Sequence, residues 1–241
     1  MILALCIFLF PVFIHIASGH VPYLEHRDFS SRRPFEVRNS IEQSLAIYAW
    51  LKNDGIFPCH DIDVYTFDVT DPVRVYIEVI VPVCPAYETF VPWFALVGPN
   101  LPDSPSGLPF AIPPGYGAVV KENVAPGESR ETFYEPFGGK WYYNGPVFDE
   151  LIDQPGSYSI YYWDPHGQGG DYVAVLGRTE QFGFWDIIRA LIYTPMIRKN
   201  HELHTECDTD IILSRINRPN PGFDTHLYRV ITQDIVLVGS V

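Results

Sequence analysis

Residues 74–83 read RVYIEVIVPV, with Val75, Ile77, Val79, Val81 and Val83 at every second position. Only an extended strand has a side-chain period of two, so one face of this segment is committed to an interior and a second layer must cover it. The run DVYTFDV at 63–69 behaves alike, with Tyr65, Phe67 and Val69 on one side and Thr66 and Asp68 on the other. The same texture of short β-branched and aromatic runs, broken by Pro, Gly and Asp, recurs at 44–51, 93–98, 117–122, 131–135, 140–143, 147–152, 157–163 and 171–177. Such a chain is expected to be mainly β, an antiparallel β-sandwich of jelly-roll type over residues 44–180. The proline-rich stretch 98–117 reads as a long ordered surface loop, because proline cannot donate to a central ladder.

Beyond Gly177 the period changes. Trp185, Ile188, Leu191 and Ile192 stand at helical spacing, which predicts a C-terminal amphipathic helix over 181–200, packed on the sandwich and ended or kinked by Pro195. A helix facing a membrane surface or a partner is the alternative. Residues 201–241 read as a tail with two further candidate strands, 210–213 and 230–238.

At the other end, residues 2–17 are apolar apart from His15 and run into Ala17-Ser18-Gly19. This reads as a signal peptide over 1–19, with a single membrane anchor as the alternative, followed by an N-terminal arm at 20–43. The mature chain is then expected to be extracellular, with no membrane span. A net charge of -13 opposes binding to nucleic acid, and 47% hydrophobic residues exclude a disordered chain. Cys6 would leave with the signal, and the remaining Cys59, Cys84 and Cys207 imply one disulfide and one further thiol. If 63–69 and 74–83 form a hairpin about Thr70-Asp71-Pro72-Val73, Cys59 falls within one residue of the position opposite Cys84. That register predicts a Cys59–Cys84 disulfide.

The segments DIDVYTFDV (61–69), QPGSYSIYYW (154–163) and GGDYVAVLG (169–177) carry a resemblance. With Asp61, Asp63, Tyr65 and Phe67 early, and Gly156, Tyr158, Gly170 and Tyr172 late, the region 44–177 is similar to pre-peptidase C-terminal domains, the β-sandwich modules appended to secreted proteases. The resemblance implies a non-catalytic sandwich that assists targeting, binding or folding. No protease domain accompanies it in this sequence.

Three groups of residues are candidates for function. The stretch FYEPFGGKWYYNGP, residues 133–146, surrounds Glu135 with rings, and Tyr134, Trp141 and Tyr142 offer flat apolar faces for an extracellular protein or carbohydrate ligand. In WDPHGQGGDY, residues 163–172, Asp164, Asp171 and His166 share a short loop that suits calcium or ordinary turn chemistry. Cleavage after Gly19 would expose His20 at the terminus, where amine and imidazole together can chelate copper with His60 or His166 completing the set, similar to the histidine brace of copper oxygenases. No Gly-x-Ser-x-Gly, His-Glu-x-x-His or phosphate-loop pattern occurs. The leading expectation is a secreted, non-catalytic binding or accessory module, with a copper-binding protein or a structural wall or matrix component as alternatives.

Overall fold

The computed structural model describes residues 19–38, 40–53, 61–205 and 207. Within them the strands are β1 (Val21–Leu24), β2 (Phe35–Glu36), β3 (Leu45–Leu51), β4 (Ile62–Val69), β5 (Val73–Pro82), β6 (Trp93–Pro99), β7 (Tyr116–Lys121), β8 (Thr132–Glu135), β9 (Lys140–Tyr143), β10 (Val147–Ile152), β11 (Gly156–Trp163) and β12 (Gly170–Leu176), and α1 spans Phe184–Arg198. Every strand expected between 44 and 177 is present, within a residue of its expected limits.

Eight strands make the sandwich. One sheet runs β3-β12-β5-β10 and the other β4-β11-β6-β7, with every neighbouring pair antiparallel. Successive strands β3, β4, β5 and β6 alternate between the sheets, and this interleaving is the jelly-roll pattern. The expected β4–β5 hairpin is therefore absent: residues 70–72 carry the chain from one sheet to the other. The predicted disulfide fails for the same reason. Cys84 is bonded to Cys207, with Cα atoms 5.2 Å apart, and not to Cys59, which lies outside the described residues. Period-two alternation tells which face turns inward, but is silent on whether two consecutive strands share a sheet.

The sandwich is not antiparallel throughout. β1 lies parallel to β3 and β2 parallel to β4, so the N-terminal arm contributes an edge strand to each sheet. Short, parallel and lacking a long apolar run, these two strands leave little periodic signal.

The inner faces meet in a core that includes Leu45, Ile47, Tyr65, Phe67, Val75, Ile77, Val79, Val81, Phe94, Ile160 and Ala174; of the alternating positions expected on β4 and β5 only Val83, past the end of β5, is half-buried and outside it. Both outer faces are covered too. Over the β4-β11-β6-β7 sheet the proline-rich loop folds back, stacking Phe110 on Tyr161 at 4.0 Å between ring centroids. Over the other sheet lie the β8–β9 hairpin and α1, burying Ala46, Tyr48, Ile80, Val173 and Val175 against Tyr142 and Ile197.

Helix α1 packs on a different line of residues from the expected one. Its buried positions are Asp186, Ala190 and Ile197, while Trp185 is 72% exposed and Ile192 56%. Polar bonds fix this rotation: Asp186 Oδ2 accepts from the Gly183 amide and from Gln43 Nε2, and Oδ1 accepts from Arg189. A buried carboxylate with three donors outweighs the transfer of one more apolar face. Pro195 neither ends nor replaces the helix, which continues to Arg198 and stops at Asn200 in a left-handed conformation, φ 59°. The candidate strands at 210–213 and 230–238 lie outside the described residues.

Candidate functional site

The outer face of the β3-β12-β5 sheet carries two cross-strand rows. Val173 stands between Tyr48 and Ile80, and Val175 between Ala46 and Glu78. Above these rows the β8–β9 hairpin curls inward, held by the pairing of Tyr143 with Val81 and of Tyr142 with Pro82. Its turn closes through its own acid: the Glu135 carboxylate accepts from the Phe137 amide at 2.8 Å and from the Gly138 amide, and Gly139 takes the left-handed conformation that the turn requires. Hairpin and sheet do not meet completely. Between them is a cavity of about 180 Å³, with Ala46, Tyr48, Ile80, Val173 and Val175 in its floor, Phe133, Glu135, Phe137 and Tyr142 in its roof, and His20, Tyr76, Glu78 and Arg178 around them.

The polar groups of this cavity are unevenly satisfied. Tyr76 donates its hydroxyl to Glu78, and burial together with that carboxylate pushes the phenol up to about 12. Arg178 lies over the Tyr76 ring at 4.0 Å and pairs with Asp149 at 3.1 Å, so its charge is already engaged. His20 Nδ1 shares a hydrogen bond with Ser44 Oγ. Burial holds the imidazole below its usual pKa, against the pull of Glu135 and Glu180, which favours the neutral ring. Tyr142 differs from all of these. It is 1% exposed, burial and then the neighbouring Tyr48 raise its phenol, and the Tyr48 hydroxyl is the neighbour its own hydroxyl faces, without a bond of good geometry between them.

A second cluster lies at the end of the sandwich beneath the N-terminal arm. One carboxylate oxygen each of Glu25, Asp28 and Asp63 fall within 4.8 Å of one another. Glu25 accepts from the Trp50 and Phe29 amides, Asp28 pairs with Lys52 at 3.2 Å, and Asp63 accepts from the Tyr172 hydroxyl at 2.7 Å while its Oδ1 is buried without a partner. Burial raises Glu25 to about 7 and Asp63 well above the ordinary carboxylate range. Three oxygens are fewer than the six or more that calcium takes, so a cation here would need further oxygens to complete its shell.

The residues singled out from sequence divide sharply. His20, Glu135 and Tyr142, read as separate candidates, line one cavity. Tyr134, half exposed, packs edge-on to Trp141 at 5.7 Å, and neither ring lines the cavity. His166 does not approach His20: it sits in the β11–β12 turn, beyond the Leu51 end of β3, whereas His20 precedes β1 at the Leu45 end. His60 lies outside the described residues.

Asp164 and Asp171 serve structure. Asp164 caps its turn by accepting from the amides of His166, Gln168 and Gly169. Asp171 is buried and accepts from the Tyr87 hydroxyl and from the His204 amide and ring. His20 and His166 are thus not brought together, and the carboxylates of Asp164 and Asp171 are engaged by donors of the chain itself.

The sequence reading missed Tyr48, Tyr76, Glu78 and Val175, while Phe133 and Phe137 belong to the aromatic stretch it singled out. A signal for some of them existed on β5. Its outward positions Tyr76, Glu78 and Ile80 are too apolar for a face left in water, which marks a covered outer layer. Comparison with protein-family models and with curated protein sequences finds no match for this chain.

Proposed function

We propose that this chain is a secreted, non-catalytic binding module that holds a small ligand beneath the β8–β9 hairpin. The observation that carries the reading is the cavity of about 180 Å³ between hairpin and sheet, walled by aromatic rings and bordered by two carboxylates. Native interiors leave few voids of this size, and a bound molecule is one way to fill one. The size suits a ligand of one ring or fewer, since cavities of about 150 Å³ accept benzene and drug-sized ligands need roughly 300 Å³ or more.

Secretion is supported by the apolar N-terminal segment and by the Cys84–Cys207 disulfide, a bond that persists mainly in oxidising compartments. The two-sheet sandwich suits the resemblance to pre-peptidase C-terminal modules. Copper binding draws less support, because the Nδ1 of His20 is committed to Ser44 and His166 is remote.

Ligand-observed NMR against single-ring and smaller fragments tests the proposal. The native protein should give hits that Val175→Phe, which fills the cavity from its floor, removes while the circular dichroism spectrum is unchanged. Hits that persist in this folded variant would place binding elsewhere and refute the reading.

A further inference from the structure

We infer that the ligand of this cavity is a small organic cation, an ammonium group bearing methyl or short alkyl substituents. The inference rests on the cavity being a binding site, and it concerns what kind of molecule enters. Five aromatic side chains, Tyr48, Tyr76, Phe133, Phe137 and Tyr142, line a space that also receives two carboxylates, Glu78 and Glu135. Rings present a negative face to a cation, and the attraction grows as water is excluded. The cationic side chain in the lining, Arg178, lies over the ring of Tyr76 and pairs with Asp149, and among the described residues neither Glu78 nor Glu135 forms an ion pair, although Lys140 acts on Glu135 from a distance while paired with Glu202.

Hydrogen-bond capacity decides against a sugar. A monosaccharide carries several hydroxyls, each needing a partner once buried. Here Glu135 already accepts from two amides, Glu78 accepts from Tyr76, and His20 is bonded to Ser44. What the cavity offers is a wall of aromatic faces beside the negative charge of two carboxylates. A methylated ammonium asks for that and for little more. The chain's net charge of -13 adds a long-range field that attracts cations and repels anions.

Calorimetric titration of the full chain with choline, and in parallel with 3,3-dimethylbutan-1-ol, its uncharged carbon isostere, separates the possibilities. Choline should bind at least about tenfold more tightly than the isostere, since positive charge beside rings and carboxylates is worth roughly that factor. Glu78→Gln should lower choline affinity several-fold and leave the isostere unchanged. Glu135→Gln should do the same, but it also removes an acceptor from the hairpin turn, so Glu78→Gln is the decisive variant. Equal binding of the two probes overturns the cation inference while leaving a binding cavity. Binding of neither probe overturns it as well, and the cavity reading then stands or falls on whether any neutral fragment is displaced by Val175→Phe.

Discussion

The two faces of strand β5 do different work with the same backbone. Val75, Ile77 and Val79 point inward and are each 0% exposed, packed among aliphatic and aromatic neighbours from the opposite sheet. Tyr76, Glu78 and Ile80 point outward into a second layer of rings and carboxylates that leaves about 180 Å³ unfilled. The inner face is built for density, which fixes the fold. The outer face keeps space, which stabilises nothing in the free protein and is available to a ligand.

The difference can be broken first at the bond that ties the segment after α1 to the chain just past β5. Cys84 follows β5 and Cys207 lies nine residues past the end of α1 (207 − 198 = 9), closing a loop with a sequence separation of 123. Removing it with Cys84→Ser and Cys207→Ser together should lower unfolding stability by about 5 kcal/mol in the chain-entropy account, read by urea denaturation. If the outer layer depends on it most, hydrogen exchange in β8, β9 and α1 should rise before exchange in β11 and β12.

A smaller effect compares the faces directly. Ile77→Ala should cost about 3–4 kcal/mol, because the close-packed inner layer cannot collapse around the void. Ile80→Ala on the same strand should cost about 2 kcal/mol or less, because its side chain already borders open space and has fewer contacts to lose. Equal costs in denaturant melts would show that the outer layer is packed as tightly as the inner one.

The end of the sandwich holds an exception, the carboxylates of Glu25 and Asp63, and here the prediction concerns pH. Glu25 titrates near 7 when folded against 4.5 when unfolded, so between those values the folded chain holds a proton that the unfolded chain has released. Stability attributable to this group is greatest below 4.5 and falls as pH rises through 7. Its loss should be about 3 kcal/mol at most, seen as the difference in pH slope between the native chain and Glu25→Gln in chelator-treated buffer. Parallel slopes would mean that Glu25 is ionised at no cost.

Much of this architecture was legible in the residues. Period-two runs located the strands, and the alternation of Val75, Ile77 and Val79 gave the inner face, because burial leaves its pattern in the sequence. Pairing was not legible, since nothing in β4 or β5 says that residues 70–72 change sheets, and the Cys59–Cys84 expectation fell with the hairpin. The helix defeated the apolar-stripe rule because Asp186, with three donors, sets its rotation. At the site, the local cluster around Glu135 was visible, but its union with His20, Tyr48 and Val175 joins residues from four strands and the arm, which only the folded register brings together.

The sharpest test of the account is a methyl-resolved NMR titration with tetramethylammonium chloride, with sodium chloride at equal ionic strength as the reference. If the outer face is the ligand site, the methyl signals of Ala46, Ile80, Val173 and Val175 should shift together and saturate along one isotherm, while those of Val75, Ile77 and Val79 stay in place. Saturating shifts shared equally by both faces of β5, or no shift beyond the sodium reference, would contradict it.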